Sequence, residues 1–284
     1  MSRPVAIITG ASRGIGAATA LRLARSGYDL ALVARTENAL RQVADEAAAL
    51  GARALPLAGD LADLKFGQSA VAKTRDHFGR IDVLVNNAAW RELVSMRAIS
   101  VESWERTLRI CLTAPAFLAR WAAEFMEPRR RGVIINVSSI MSQQAAGISP
   151  AYIASKGGID SLTFELASLY GPAGIRVLGI RPGAVDTEMS QDVADTAKAD
   201  TAKDSAANDD GPKGDGDDAL RDFSRRMIML GRWATAEEIA EVIAFAASPA
   251  ASYIHGTMID VDGGWFRQHL PADMGREQPP RKSP

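Results

Sequence analysis

Residues 5–24 read VAIITGASRGIGAATALRLA, and the fold class turns on them. The short apolar run Val5–Thr9 has the composition of a buried strand, and the alanine- and leucine-rich segment after Gly16 has that of an amphipathic helix. Between them stand Gly10, Gly14 and Gly16. A glycine carries no Cβ, so backbone amides in such a turn can approach an anion closely, and the start of the following helix adds partial positive charge. The spacing is G-x-x-x-G-x-G rather than the more common dinucleotide pattern G-x-G-x-x-G. Three glycines in a turn carry little weight alone. With a strand before them and a helix after them, a nucleotide-phosphate site is a better reading than a structural turn.

The same alternation runs along the chain. VAIIT, DLALVA, ARALPLA, IDVLVN, GVIINVS, IRVLGI and GTMIDVDGG are short apolar or β-branched runs, each separated from the next by a helix-length segment. Strands alternating with helices imply βαβ units, and right-handed crossovers make a doubly wound parallel sheet the economical topology. The expectation is an α/β chain, a single-domain Rossmann fold of about seven strands flanked by helices, over residues 1–266.

Bulk properties narrow the function. The chain has 284 residues, 47% of them hydrophobic and 24% charged, which is enough for a sizeable core. A net charge of −1 gives no overall attraction to nucleic acid or to an anionic membrane. No apolar run reaches the ~18 residues of a membrane span, and the opening MSRPVAIITG is too short in apolar residues for a signal peptide. The single cysteine, Cys111, forbids an intramolecular disulfide and suits a reducing compartment. The expectation is a cytoplasmic, soluble protein with a small-molecule substrate and no nucleic acid, membrane or metal partner.

One stretch breaks the rhythm. Residues 191–220 contain nine aspartates against three lysines, a net charge of −6, and almost no large apolar side chain, which reads as an acidic flexible insertion. LRDFSRRMIML (Leu220–Leu230) is its foldable continuation and a candidate part of a lid over the site. Residues 267–284 read as a frayed tail.

Two further patterns bear on chemistry. The end of a second strand in such a fold reports on the nucleotide ribose: a carboxylate there holds the hydroxyls, whereas an arginine accepts a 2′-phosphate. Here the strand ends LVARTEN, with Arg35 at the tip, and Arg13 stands in the glycine turn. Both arginines favour NADP(H) over NAD(H), unless they are simply exposed cations. The second pattern is Tyr152 and Lys156 in AYIASKGG (Ala151–Gly158), which share a face if the segment is helical. A free phenol ionises near ~10, and a neighbouring cation favours the phenolate. In isolation, such a pair is more often a packed tyrosine beside a solvated lysine.

Taken together, TGASRGIG (Thr9–Gly16), GDL (Gly59–Leu61), NNAA (Asn86–Ala89), NVSS (Asn136–Ser139), YIASK (Tyr152–Lys156), RPGAVDTEM (Arg181–Met189) and DVDGGW (Asp260–Trp265) resemble, in order, the motifs of the short-chain dehydrogenase/reductase family of classical type. The resemblance spans about residues 4–265. It is nearest to the branch containing 3-oxoacyl-(acyl-carrier-protein) reductases and glucose dehydrogenases. It implies that Tyr152 acts as general acid in carbonyl reduction, or as base in alcohol oxidation. Lys156 would be the cation that favours the phenolate and holds the nicotinamide ribose, and Ser139 would bond the substrate oxygen, with Ser138 structural. It assigns the cofactor to Gly10, Ser12, Arg13, Gly14, Ile15, Gly16, Arg35, Asp60, Leu61, Asn87, Ala88, Tyr152, Lys156, Pro182, Gly183, Val185 and Thr187. Within that set Asp60 faces the adenine; Asn86, outside it, begins the motif that supports the cofactor and the central sheet. It also implies a homotetramer, or a homodimer, built on helices around residues 101–126 and 151–170.

Two positions depart from the pattern. Ala89 replaces a usual glycine, which a negative φ tolerates. Cys111 replaces the family's fourth catalytic residue, an asparagine that helps hold a relay water; a thiol cannot reproduce an amide's hydrogen bonds, and packing is the reading adopted for it. The substrate pocket is expected from Trp90, Arg91, IMSQQAAGIS (Ile140–Ser149) and the lid after Thr187. The leading expectation is NADPH-dependent reduction of a ketone or 3-oxoacyl compound. The alternatives are a sugar, polyol or steroid dehydrogenase, and a cofactor-binding sensor or scaffold with little turnover.

Overall fold

Seven parallel strands form one sheet in the order β3-β2-β1-β4-β5-β6-β7 in the computed structural model, which describes residues 3–188, 216–267 and 269. The strands are β1 (Val5–Thr9), β2 (Asp29–Ala34), β3 (Ala54–Ala58), β4 (Val83–Asn86), β5 (Gly132–Val137), β6 (Ile175–Pro182) and β7 (Met258–Val261). Six of the seven apolar runs singled out in the sequence contain one of them whole, and the remaining run, IRVLGI, lies inside β6, which continues to Pro182. The five central strands are buried along almost their whole length, whereas β3 and β7, at the edges, are only partly so. That is why the central runs show no polar alternation: helices cover both faces.

Period-two side-chain alternation divides the core into two layers. Ala6, Ile8, Leu30, Leu32, Val83, Val85, Ile135 and Ile180 pack beneath α1 (Gly14–Arg25), α2 (Glu37–Ala49) and α8 (Ala236–Ala247). Ile7, Ala31, Val33, Leu84, Ile134 and Val177 pack beneath α3 (Leu64–Phe78), α5 (Ala114–Met126) and α6 (Pro150–Tyr170). Local signals set the helix limits. Asp63 caps α3 by accepting from the Lys65 amide, and Gly79, in the left-handed region, stops it. A reciprocal capping box of Thr235 and Glu238 starts α8.

Two elements differ from the sequence expectation. The helix expected as one piece after the NNAA turn is α4 (Val101–Leu108) and α5 joined by a π-helical turn, Arg109–Thr113, which contains Cys111. Helix α7 (Gly216–Met227) takes in the last five residues of the stretch read as a flexible insertion; the rest of that stretch and most of the expected tail lie outside the described residues. Among the described residues no helix is long and apolar enough to cross a membrane.

The N-terminal ends of the central strands are gathered by one carboxylate. Asp82, just before β4, accepts from the Val5 amide of β1 at 2.9 Å and from the guanidinium groups of Arg80 and Arg129. Burial pushes its carboxyl up, but the bonds from Arg80, Arg129 and Val5 outweigh burial and hold it below the usual carboxylate range. A group with a depressed folded-state value stabilises fully above its unfolded value and loses that contribution as the pH falls through the folded one. Asp82→Asn is therefore expected to cost about 2–4 kcal/mol in urea unfolding at neutral pH. The difference from the wild type should shrink steadily below about pH 4; a difference that stays constant down to pH 3 would contradict this account.

Candidate active site

The strand order reverses between β1 and β4, and in an open parallel sheet the crevice beyond the strand ends at such a point is where ligands bind. A cleft of about 850 Å³ opens there. Of the residues assigned to catalysis or cofactor from the sequence, all but Gly16 line it.

Thr9 and Asn87 build the floor. The Thr9 hydroxyl accepts from the Asn87 and Ala88 amides at 2.9 and 3.0 Å and donates to Val85 O at 3.2 Å. Asn87 returns its side-chain amide to Thr9 O at 2.9 Å. The glycines fit the space this leaves. Gly10 has φ +66°, and a Cβ there would lie 2.9 Å from Ala88 Cα. Gly14 has φ +53° and faces Thr187 across the cleft mouth. Gly16 is the one assigned residue outside the lining: a Cβ on it would collide with Gly10 O, so it packs against the turn. Helix α1 starts above this cradle with no side chain capping it and no acidic residue in its first turn. Bare first-turn amides beside tightly packed glycines suit a pyrophosphate.

Two ion pairs and one cation–π contact lie on the side of the cleft near the end of β2. Asp60 accepts from the Ala62 amide at 2.9 Å and pairs with Arg106 at 2.7 Å. Burial raises its carboxyl, while Ala62, Arg106 and, at longer range, Arg35 more than offset that and hold it low. Arg35 is exposed on the cleft wall at the tip of β2. Arg13 pairs with Glu188, in the segment after β6. The Arg106 guanidinium also lies 5.6 Å from the Trp90 ring.

Helix α6 carries the other half. Tyr152 and Lys156 share its buried face, and Lys156 Nζ lies 5.4 Å from the Tyr152 ring centre and donates to Val137 O at 2.7 Å. Ser139 follows β5 and caps a short 3-10 turn, accepting from the Met141 amide at 3.1 Å. Ser138 turns away from the cleft chemistry. Its hydroxyl donates to Asp160 at 2.6 Å, and Asp160 in turn takes Arg181 Nε at 2.9 Å, while Arg181 reaches Asp260 at 3.1 Å. This chain, buried except at Asp260, fastens α6, the end of β5, β6 and β7 together. Asn86 also lies outside the cleft, bonding Asn136 at 2.9 Å across β4 and β5.

The profile described as short chain dehydrogenase matches residues 4–198. The chain belongs to that family. A second profile, described as Enoyl-(Acyl carrier protein) reductase, matches residues 208–266. Gluconate 5-dehydrogenase of Gluconobacter oxydans is 31% identical over 91% of this chain and 93% of its own length. The 3-oxoacyl-(acyl-carrier-protein) reductase of Thermotoga maritima is 30% identical over 92% and 96%. A short-chain type dehydrogenase/reductase from Mycobacterium marinum superposes with a TM-score of 0.80 at 30% identity, covering 93% of this chain and 96% of that one. The protein is thus an oxidoreductase of a family that uses a nicotinamide cofactor.

In this short-chain dehydrogenase the remaining cleft wall is aromatic and cationic. Trp90 and Arg91 leave the NNAA turn; Met141, Gln144 and Ile148 come from the loop before α6; Arg221, Phe223, Trp233 and Trp265 complete it. Gln143, expected beside Gln144, is not part of the lining. Sequence reasoning did not find Arg106, whose partner is 46 residues away, nor the Trp233 and Trp265 contributions. Among the described residues no cluster of histidine, cysteine or carboxylate side chains could hold a metal.

Ala89, the smaller departure, has no positive φ. Cys111 is buried in the π-helical turn, and its Sγ accepts from the Trp90 amide and donates to Trp90 O, both at 3.3 Å. A thiol makes such bonds weakly, and an asparagine amide offers a stronger donor and acceptor at the same place. Cys111→Asn is expected to leave kcat unchanged or raise it, measured by NADPH oxidation with a reducible ketone. A fall of more than about tenfold, beyond 1.4 kcal/mol of barrier, would give Cys111 a function of its own.

Proposed function

We propose that the protein catalyses NADP(H)-dependent hydride transfer between the nicotinamide and a carbonyl or secondary alcohol carbon, with Tyr152 as the acid in reduction and the base in oxidation. The observation that carries this reading is the pairing of Tyr152 and Lys156 on the buried face of α6, with Ser139 on the same cleft. A bound nicotinamide supplies or accepts the hydride. The protein handles the proton and the oxygen. Ser139 Oγ bonds the substrate oxygen, and Tyr152 Oη gives its proton to that oxygen as charge develops on it. Lys156 spends one of its three donors on Val137 O, which fixes the ammonium, and has two more for the phenol oxygen and the ribose.

The adenine half supports NADP(H) over NAD(H). Arg35 lines the cleft at the tip of β2, where an arginine would accept a 2′-phosphate, and no carboxylate replaces it there, while Arg13 is partly committed to Glu188. Arg35 is therefore the main discriminator. Reduction of a ketone or 3-oxoacyl compound remains the leading direction. The relatives divide on substrate, one being named for a polyhydroxy carboxylate and another for a carrier-bound 3-oxoacyl group.

Two assays test this. With a panel of ketones and diketones, Tyr152→Phe is expected to lower kcat by about 10²–10⁴ while NADPH still binds; full activity in that variant would sink the proposal. Arg35→Ala should reduce the NADPH-over-NADH preference in kcat/KM by about tenfold or more, roughly the value of one charge-assisted contact. An unchanged ratio would remove Arg35 from cofactor selection.

A further inference from the structure

Two large apolar side chains stand uncovered in the cleft wall. Among the described residues Ile148 is 45% exposed and Phe223 56%, and both line the cleft. The backbone at each is held. Ile148 O accepts from the Val94 amide at 2.8 Å, which ties the loop before α6 to the loop after the NNAA turn. Ser224, next to Phe223 on α7, is buried and accepts the Trp233 indole N–H at 2.7 Å. Large apolar side chains left open in a concave site mark surface that a ligand covers.

The phenol end of the cleft has the same character. Ile110, Cys111 and Tyr152 form a buried cluster, and Ala89, Trp90 and Met141 pack against it. Polar partners are few. The loop Ile140–Ser149 brings only Gln144 and Ser149 to the lining as polar side chains, and Ser149 is buried. The arginines of this half lie against rings, Arg91 over Tyr152 at 5.5 Å and Arg221 over Trp233 at 4.7 Å. A substrate with a hydroxyl on every carbon would lose water along this wall without finding enough partners in return. An apolar group would leave water on both sides of the contact.

We infer that Ile148 and Phe223 are specificity-determining residues that receive an apolar ring or chain of the substrate, which makes the substrate a carbon-rich ketone, or its alcohol, and not a polyhydroxylated sugar or sugar acid. The inference rests on the proposed hydride transfer at Tyr152 and chooses among the substrates that reading allows. The reaction balances as ketone, NADPH and one proton giving secondary alcohol and NADP⁺, with the apolar group unchanged. Neither side chain takes part in the proton transfer.

Benzylacetone and butanone share a carbonyl and differ by a phenyl group. With the full-length protein and NADPH, benzylacetone is expected to show a kcat/KM at least about tenfold higher. Phe223→Ser and Ile148→Ser should each lower that ratio about threefold or more, and Phe223→Leu should keep most of it. Both ketones are assayed on one preparation, so a partly unfolded variant leaves the ratio untouched. Equal values for the two ketones, a ratio that survives both serine changes, or a higher kcat/KM with NADP⁺ on gluconate than on the alcohol of benzylacetone overturns the inference. Calorimetry of the NADP⁺ complex with hydrocinnamamide and propionamide, matched amides that NADPH does not reduce, separates the two claims. Tighter binding of hydrocinnamamide, lost in Phe223→Ser, without Tyr152-dependent turnover of either ketone would count against the hydride-transfer reading alone. Tyr152-dependent turnover with no phenyl preference would overturn this inference alone, and the absence of both would overturn both.

Discussion

One hydroxyl joins the two halves of this protein. Thr9 ends β1, and its side chain takes the amides of Asn87 and Ala88 beyond β4 while donating to Val85 O. Two parallel strands that diverge into opposite halves of the sheet would leave those polar groups bare at a buried edge, and the hydroxyl satisfies them. It also sets the width of the crevice. The glycine turn follows Thr9 directly and Trp90 and Arg91 follow Ala89, so both sides of the cleft are hung from the same bond.

Around that junction, polar groups are buried where they fix direction. Ser138, Asp160, Arg181 and Asp260 form a chain of donors and acceptors behind the catalytic face, and Asn86, Asn136 and Thr163 form another across the sheet. Networks of this kind confer geometric definition more than net stability, because each ion must be stripped of water before it pairs. Their members tie β4, β5, β6 and β7 to α6, which carries Tyr152 and Lys156, while Ser139 follows β5. Ser138 and Ser139 are neighbours in sequence and serve opposite purposes, since strand geometry sends successive side chains to opposite sides.

Much of this was legible in the sequence because the signals were local. Strand, glycine turn and helix are contiguous between Val5 and Arg25, and Tyr152 and Lys156 are one helical turn apart. Arg35 could be read because a parallel strand must end at the ligand edge. What escaped depended on distance or on side-chain direction. Arg106 reaches Asp60 across 46 residues, and the Asp160–Arg181 pair joins a helix to a strand. Gly16 sits in a phosphate-binding pattern yet packs against the turn, a distinction that needs three dimensions. The π-helical turn at Cys111 adds a residue to the helix with no compositional mark, and it sets which neighbour the thiol meets.

Seven strands running in one direction give the molecule two dissimilar poles. At one, Asp82 and Asp29 gather arginines and backbone amides around the strand origins. At the other lie the glycine turn, the phenol and the variable walls. Changes that retune substrate range at the second pole leave the anchoring at the first untouched, so this architecture can diversify its chemistry while holding its melting behaviour nearly constant.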